Sequence, residues 1–191
     1  MEENQNTIVM LALTKKRGGK KVLAPSMEGY ETGYNIDGIY IKVDEVSRIF
    51  ALKDMAVGYG IDTADLPETD SNYGKIIATM DGMDGEENTQ CIIDIYQLTS
   101  GAAVSAKEYG WLPSGGEMSM LKDNKEAVNA LLEAAGGDVI GNAKYWLSLR
   151  RNASYPWFYD GAEDGFGSWK GGSSQLLVRP CMYADAYETQ D

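Results

Sequence analysis

The chain has 191 residues, with 29 acidic against 17 basic side chains for a formal charge of −12, and it contains no histidine. That length suits one well-cored domain with room for a short appendage. Without imidazole, a Ser-His-Asp or Cys-His relay, a histidine general base and a histidine-ligated zinc site are excluded; with Cys91 and Cys181 as the only thiols, so is an all-thiolate zinc site.

The negative charge argues against nucleic acid or anionic lipid as a partner. Most of the excess lies in residues 51 to 100, which hold ten carboxylates against two cations. The one basic cluster, Lys15, Lys16, Arg17, Lys20 and Lys21, surrounds Gly18-Gly19 without interleaved aromatics. It reads as a solvated hairpin turn rather than a nucleic-acid patch. The start, Met1-Glu2-Glu3-Asn4, is acidic where a secretory signal would be basic, and no run approaches the ~20 apolar residues of a membrane helix. No targeting segment and no membrane insertion are therefore expected.

Taken in order, residues 7–13 and 21–24 read as a first hairpin around the Lys-Lys-Arg-Gly-Gly-Lys turn. Ile39, Ile41 and Val43 alternate with Tyr40 and Lys42, and residues 48–52 resume after Asp44-Glu45, which predicts a second hairpin. Asp70, Ser71 and Asn72 offer caps for a helix from Gly74 to Met80. Asn88 or Thr89 can cap a second helix carrying Cys91, Ile92, Ile95 and Leu98. Between them, Asp81-Gly-Met-Asp-Gly-Glu-Glu87 lacks the spacing of a Ca²⁺ loop, so a solvated connection is expected and no metal is assigned.

Ser114-Gly-Gly-Glu117 is a capping box directly after Pro113. Behind it Met118, Leu121, Val128, Leu131, Leu132 and Ala135 form an apolar stripe, with a break expected near Asp123-Asn124 and a stop at Gly136-Gly137.

From Tyr145 to Leu177 the periodicity fades. These 33 residues contain three of the four tryptophans, three tyrosines, two phenylalanines, five glycines and five serines. Tyr and Trp give large contact area for few frozen torsions while Ser and Gly adapt, a composition suited to a binding surface. The alternative is an irregular loop packed by its own rings.

In their order, Ile49-Phe-Ala-Leu-Lys-Asp54, Asp81 to Thr89, Gly110-Trp-Leu-Pro-Ser-Gly-Gly-Glu-Met118, Tyr145-Trp146, Trp157 and Val178-Arg-Pro180 resemble a bacterial and phage family. That family has the C-type-lectin-like fold, shared in outline with formylglycine-generating enzymes and with the variable proteins of diversity-generating retroelements. The resemblance covers roughly residues 36 to 189. It departs from the family pattern G-W-x-L-P-S in lacking a residue between Trp111 and Leu112, and from Y-W-S-S in having Leu147 after Trp146. It implies an α+β domain over 36–191: a small twisted antiparallel sheet, two helices and a long irregular ligand-binding segment; residues 1–35 have no counterpart in the family and read, from their own hairpin pattern, as a preceding β arm.

Retroelement mutagenesis acts at asparagine codons, and Leu149, Arg150, Arg151, Ser154, Tyr155, Phe158, Tyr159, Asp160, Asp164 and Ser168 are compatible with its products. These are the expected ligand-binding residues. Trp157, Trp169 and Lys170 are not compatible and read as scaffold. The resemblance also raises a Cys91–Cys181 disulfide, by analogy with lectins, and makes Arg179 a structural ion-pair partner. The lectin Ca²⁺ signatures are absent.

The expected function is calcium-independent, cofactor-free recognition of a cell-surface protein or glycan, of the adhesin or phage receptor-binding kind, on a virion or cell surface. Two alternatives stay open. One is a structural subunit, a homo-oligomer formed through the N-terminal arm; the other is a hydrolase using Asp160 and Glu163 as paired carboxylates.

Overall fold

A computed structural model describes residues 7–17, 19–30, 32–60, 80–152, 155–168 and 174–189. The chain is α+β, with four helices and two sheets among these residues. It divides into two compact units, one formed by residues 1–53, 120–139 and 182–191, the other by 54–119 and 140–181.

The first unit is built on a six-stranded sheet in the order β10-β4-β3-β1-β2-β11. Its strands are β1 (Thr7–Lys15), β2 (Lys21–Ala24), β3 (Tyr34–Val43), β4 (Val46–Phe50), β10 (Cys181–Tyr183) and β11 (Glu188–Thr189). Both expected hairpins form. Lys15 N–H bonds the Lys20 carbonyl at 2.9 Å across the first turn, and Asp44 takes a positive φ of 52° in the second.

The hairpin expected within the N-terminal arm is built into this sheet. β1 pairs with β3 along its whole length, Thr7 opposite Val43 through Lys15 opposite Tyr34, so the first hairpin lies inside the sheet. The reason is apolar content: Leu11, Leu13, Val22, Ile39, Ile41, Ile49 and Phe50 are all fully buried. Each such side chain contributes about 1.5–3 kcal/mol when removed from water.

Helix α3 (Gly115–Asp123) ends in this unit, from Met120 onward, and α4 (Lys125–Ala134) follows it, with the break at Asn124 as expected. Asn124 Nδ2 donates to the Met120 carbonyl at 2.9 Å. Val128 and Leu132 bury the face of α4 that packs on β1 and β3. The glycine pair closes α4 with a Schellman arrangement: Gly136 adopts φ 68°, Gly137 N–H bonds Leu132 O at 2.7 Å and Gly136 N–H bonds Glu133 O at 3.2 Å.

The second unit holds a five-stranded mixed sheet, β5-β9-β6-β7-β8. It consists of β5 (Met55–Gly58), β6 (Lys144–Asn152), β7 (Tyr155–Asp160), β8 (Gly165–Ser168) and β9 (Gln175–Val178), with β6 parallel to β9 and the other pairs antiparallel. The segment expected to be irregular is therefore mostly strand. Its aromatic residues are good strand formers, and burial on both faces of β6 erases the alternation that would have revealed it.

Helices α1 (Gly85–Tyr96) and α2 (Ala102–Ala106) pack on this unit's core, which gathers Tyr59, Ile92, Leu112, Trp146, Phe158 and Val178. The helix begins earlier than expected, with Asp84 at the cap position, four or five residues before Asn88 or Thr89. Thr89 is no cap: its buried hydroxyl donates to Gly85 O at 2.6 Å and accepts the Leu112 N–H at 3.0 Å, tying the helix to the next segment. The helix expected over 74–80 and its caps at 70–72 lie outside the described residues except for Met80. No disulfide joins Cys91 and Cys181. Cys91 lies on α1 against the apolar core, while Cys181 is buried and exchanges backbone hydrogen bonds with Trp111.

Candidate functional site

Ser114 and Glu117 form the expected capping box. Ser114 N–H donates to Glu117 Oε2 at 2.9 Å, and Glu117 N–H reaches Ser114 Oγ at 3.3 Å. The structure adds a partner: the indole N–H of Trp111 reaches both Glu117 oxygens at 3.1 Å. Gly115 and Gly116 have a separate purpose. A Cβ on either would lie within 2.3 Å or 2.7 Å of the backbone at Met80 to Gly82, which crosses directly over the start of α3. The backbone at the start of the Asp81–Glu87 stretch packs on α3 while Asp81, Asp84, Glu86 and Glu87 are exposed, so the stretch is a solvated connection running into α1. Among the described residues no group of three or more Cys, Asp or Glu side chains converges to hold a metal ion.

The β7–β8 hairpin sorts its side chains by alternation. On one face Trp146, Phe158 and Gly167 lie in register across β6, β7 and β8. This face is closed: a Cβ at Gly167 would meet Phe158 Cζ at 2.6 Å, and Trp146 stands edge-on to Tyr59 at 5.1 Å. On the other face Tyr145, Tyr159 and Phe166 form a row, with Tyr145 and Tyr159 stacked at 6.1 Å and Tyr159 5.9 Å from Phe166. Tyr145 Oη donates to Asp54 Oδ2 at 3.1 Å, and Asp54 also takes Arg179 Nε at 2.7 Å. Arg179 is thus buried in an ion pair.

The predicted ligand-binding residues separate accordingly. Leu149 and Tyr159 are fully buried, and Arg150, Phe158 and Asp160 are at most 8% exposed. These five are corrected from surface to interior positions. Arg150 Nη1 donates to Tyr96 Oη, with the guanidinium 5.4 Å from the Tyr96 ring centroid. Asp160 pairs with Lys144 Nζ and accepts the Ala162 N–H at 3.1 Å, a local turn. Asp164 is exposed but held at the hairpin turn, with φ 52°, by the Tyr159 hydroxyl at 2.7 Å. Ser154, like Trp169 and Lys170, lies outside the described residues. The paired-carboxylate alternative finds Asp160 engaged by Lys144 and Glu163 exposed.

What is left accessible is compact. Arg151 is exposed, and Tyr155, Trp157 and Ser168 are half-buried. Trp157 lies opposite Ser168 in register, and Arg151 Nη1 is 3.5 Å from Ser168 Oγ. The exclusion of Trp157 as scaffold is therefore revised by its placement. Alternation within β7 was a partial signal: Tyr155 and Trp157 share a face opposite Pro156 and Phe158, but Tyr159 further along that face is fully buried. Elsewhere in this unit an open cleft of about 500 Å³ lies beside β5, lined by small or neutral residues such as Gly58, Gly60, Ser100, Ser105 and Gln175.

No protein-family model matches the chain, and no curated protein does. Part of a solved fimbrial protein has a similar fold. That protein comes from Bacteroides ovatus ATCC 8483, and the similarity has a TM-score of 0.52 at 14% sequence identity. It covers 70% of this chain and 35% of the fimbrial one, so this chain spans about a third of that protein's length.

Proposed function

We propose that the chain is a non-enzymatic recognition protein of the adhesin or phage receptor-binding kind, which engages a cell-surface protein or glycan through the accessible face of the β7–β8 hairpin. One observation carries the reading: in an aromatic-rich sheet whose Tyr145, Trp146, Phe158 and Tyr159 are packed inside, Tyr155 and Trp157, like Phe166, are only half-buried, and Trp157 lies opposite Ser168, which the exposed Arg151 reaches. Rigid strands carry these side chains, as a recognition surface requires. The fold likeness to a fimbrial protein supports a surface role. The order of motifs supports the C-type-lectin-like assignment, and Arg151, Tyr155 and Ser168 are among the residues retroelement mutagenesis can produce.

Fluorescently labelled protein should bind intact bacterial or host cells from a panel, and the double substitution Tyr155→Ala, Trp157→Ala should abolish that binding with the melting temperature nearly unchanged. Undiminished binding by the double variant overturns the reading.

The fimbrial likeness favours a second reading, a subunit of a surface assembly. It predicts an oligomer by light scattering; a monomer counts against it.

A further inference from the structure

The accessible face holds three chemically distinct groups close together. Arg151 reaches Ser168, Ser168 sits opposite Trp157, and Tyr155 lies one alternation further along β7, about 7 Å away. An indole or phenol ring presents an electron-rich face, which attracts the polarised C–H groups on one side of a sugar ring. A guanidinium offers five N–H donors in a fork that fits carboxylate or sulfate oxygens.

Charge is unevenly placed along the hairpin. Asp164 lies four residues from Ser168, about 13 Å along the strand and beyond the ~8 Å screening length of physiological salt. Asp160 is already paired with Lys144. The Arg151 end is thus a local positive spot on a chain of net charge −12, a contrast that selects an anionic group at one point rather than an extended polyanion.

We propose that this face binds a pyranose ring bearing an anionic oxygen substituent, carboxylate or sulfate. The ring stacks on Trp157 and Tyr155, the anion is held by Arg151, and the Ser168 hydroxyl completes the contact. This rests on the recognition reading above and deepens it.

Three tetrasaccharides test it by NMR titration of the full chain in 50 mM salt: hyaluronan, which is anionic through carboxylates alone, chondroitin 4-sulfate, and neutral chitotetraose. At least one acidic probe binds ten-fold or more tightly than chitotetraose, and which one does separates carboxylate from sulfate as the preferred anion. Raising salt to 300 mM weakens only the acidic probe. Arg151→Gln, a change at an exposed site, removes the ten-fold preference, and Trp157→Ala weakens binding of acidic and neutral probes alike.

Equal binding of acidic and neutral probes, a preference that survives Arg151→Gln, or no binding by any probe overturns the inference. If no probe binds but cell binding is still lost in the Tyr155→Ala, Trp157→Ala variant, the saccharide assignment fails and the recognition reading stands. If cell binding persists in that variant, both fail.

Discussion

The indole nitrogen of Trp111 donates to both carboxylate oxygens of Glu117, each at 3.1 Å, deep in a site where Glu117 is fully buried. The same carboxylate accepts the Ser114 amide and hydroxyl, so one side chain satisfies donors from a tryptophan and from the start of α3. Gly85, the first residue of α1, leaves it room: a Cβ there would sit 2.1 Å from Glu117 Oε2.

Glu117→Gln places an amide NH₂ where only donors approach. It should cost about 2–3 kcal/mol in urea unfolding, the penalty for buried polar groups left unsatisfied, with an unchanged m-value. Gly85→Ala should cost at least as much by forcing Trp111 and Glu117 apart. Wild-type stability in either variant would refute this account of the motif.

Asp54 and Arg179 form a buried pair, with side chains 7% and 0% exposed. Asp54→Asn removes the charge of this carboxylate from beside the buried guanidinium and should destabilise by about 3–5 kcal/mol. It also weakens the anchor of the Tyr145 hydroxyl. A fall in the urea midpoint reports both effects, and a loss under about 1 kcal/mol would show that the pair is dispensable.

Burial pushes the Tyr59 hydroxyl far above its ordinary pKa, against a lowering influence from Arg150 and with a smaller raising one from Tyr96. Tyr187 is raised by burial and then by its hydrogen bond to Asp37 and that residue's charge. An unfolded tyrosine titrates near 10. The unfolded chain therefore loses these protons first as pH rises, and the stability they contribute, intact below about pH 10, is lost on going higher. Urea midpoints should be flat from pH 7 to 9 and fall above 10. Tyr59→Phe removes a hydroxyl with no hydrogen-bond partner among the described residues; it should be neutral or stabilising at pH 7 and should reduce the alkaline fall. An equally steep fall in that variant would contradict this.

Neighbouring positions of β7 should respond oppositely to alanine. Phe158→Ala opens the buried side of the sheet and should cost about 3–5 kcal/mol. Trp157→Ala, on the accessible face, should cost far less. Thermal unfolding of the two variants distinguishes them, and similar losses would mean that Trp157 is a core residue.

Legibility in the sequence followed locality. The capping box, the Gly136-Gly137 stop and both N-terminal hairpins were readable because each is decided by residues a few positions apart. The strand character of 144–178 was hidden: Tyr145 and Trp146 are both buried on opposite faces of β6, and two register irregularities in its pairing with β7 interrupt the period. The site was readable as a region and not as a residue set. Composition located the aromatics, but only the register of Trp157 with Ser168 and of Phe158 with Gly167 divides the accessible from the packed. Gly85 had no local signal, because the atoms it makes room for lie some thirty residues away.

The contact between Gly167 and the Phe158 ring sets what a mutational library on this hairpin could contain. A side chain at 167 has no volume to occupy, so permitted diversity follows a two-residue comb: 155, 157 and 168 are free to change, while 158 and 167 must stay fixed. A randomised pool built on every position would be mostly unfolded, whereas one built on the comb and Arg151 would keep its scaffold and vary only its specificity.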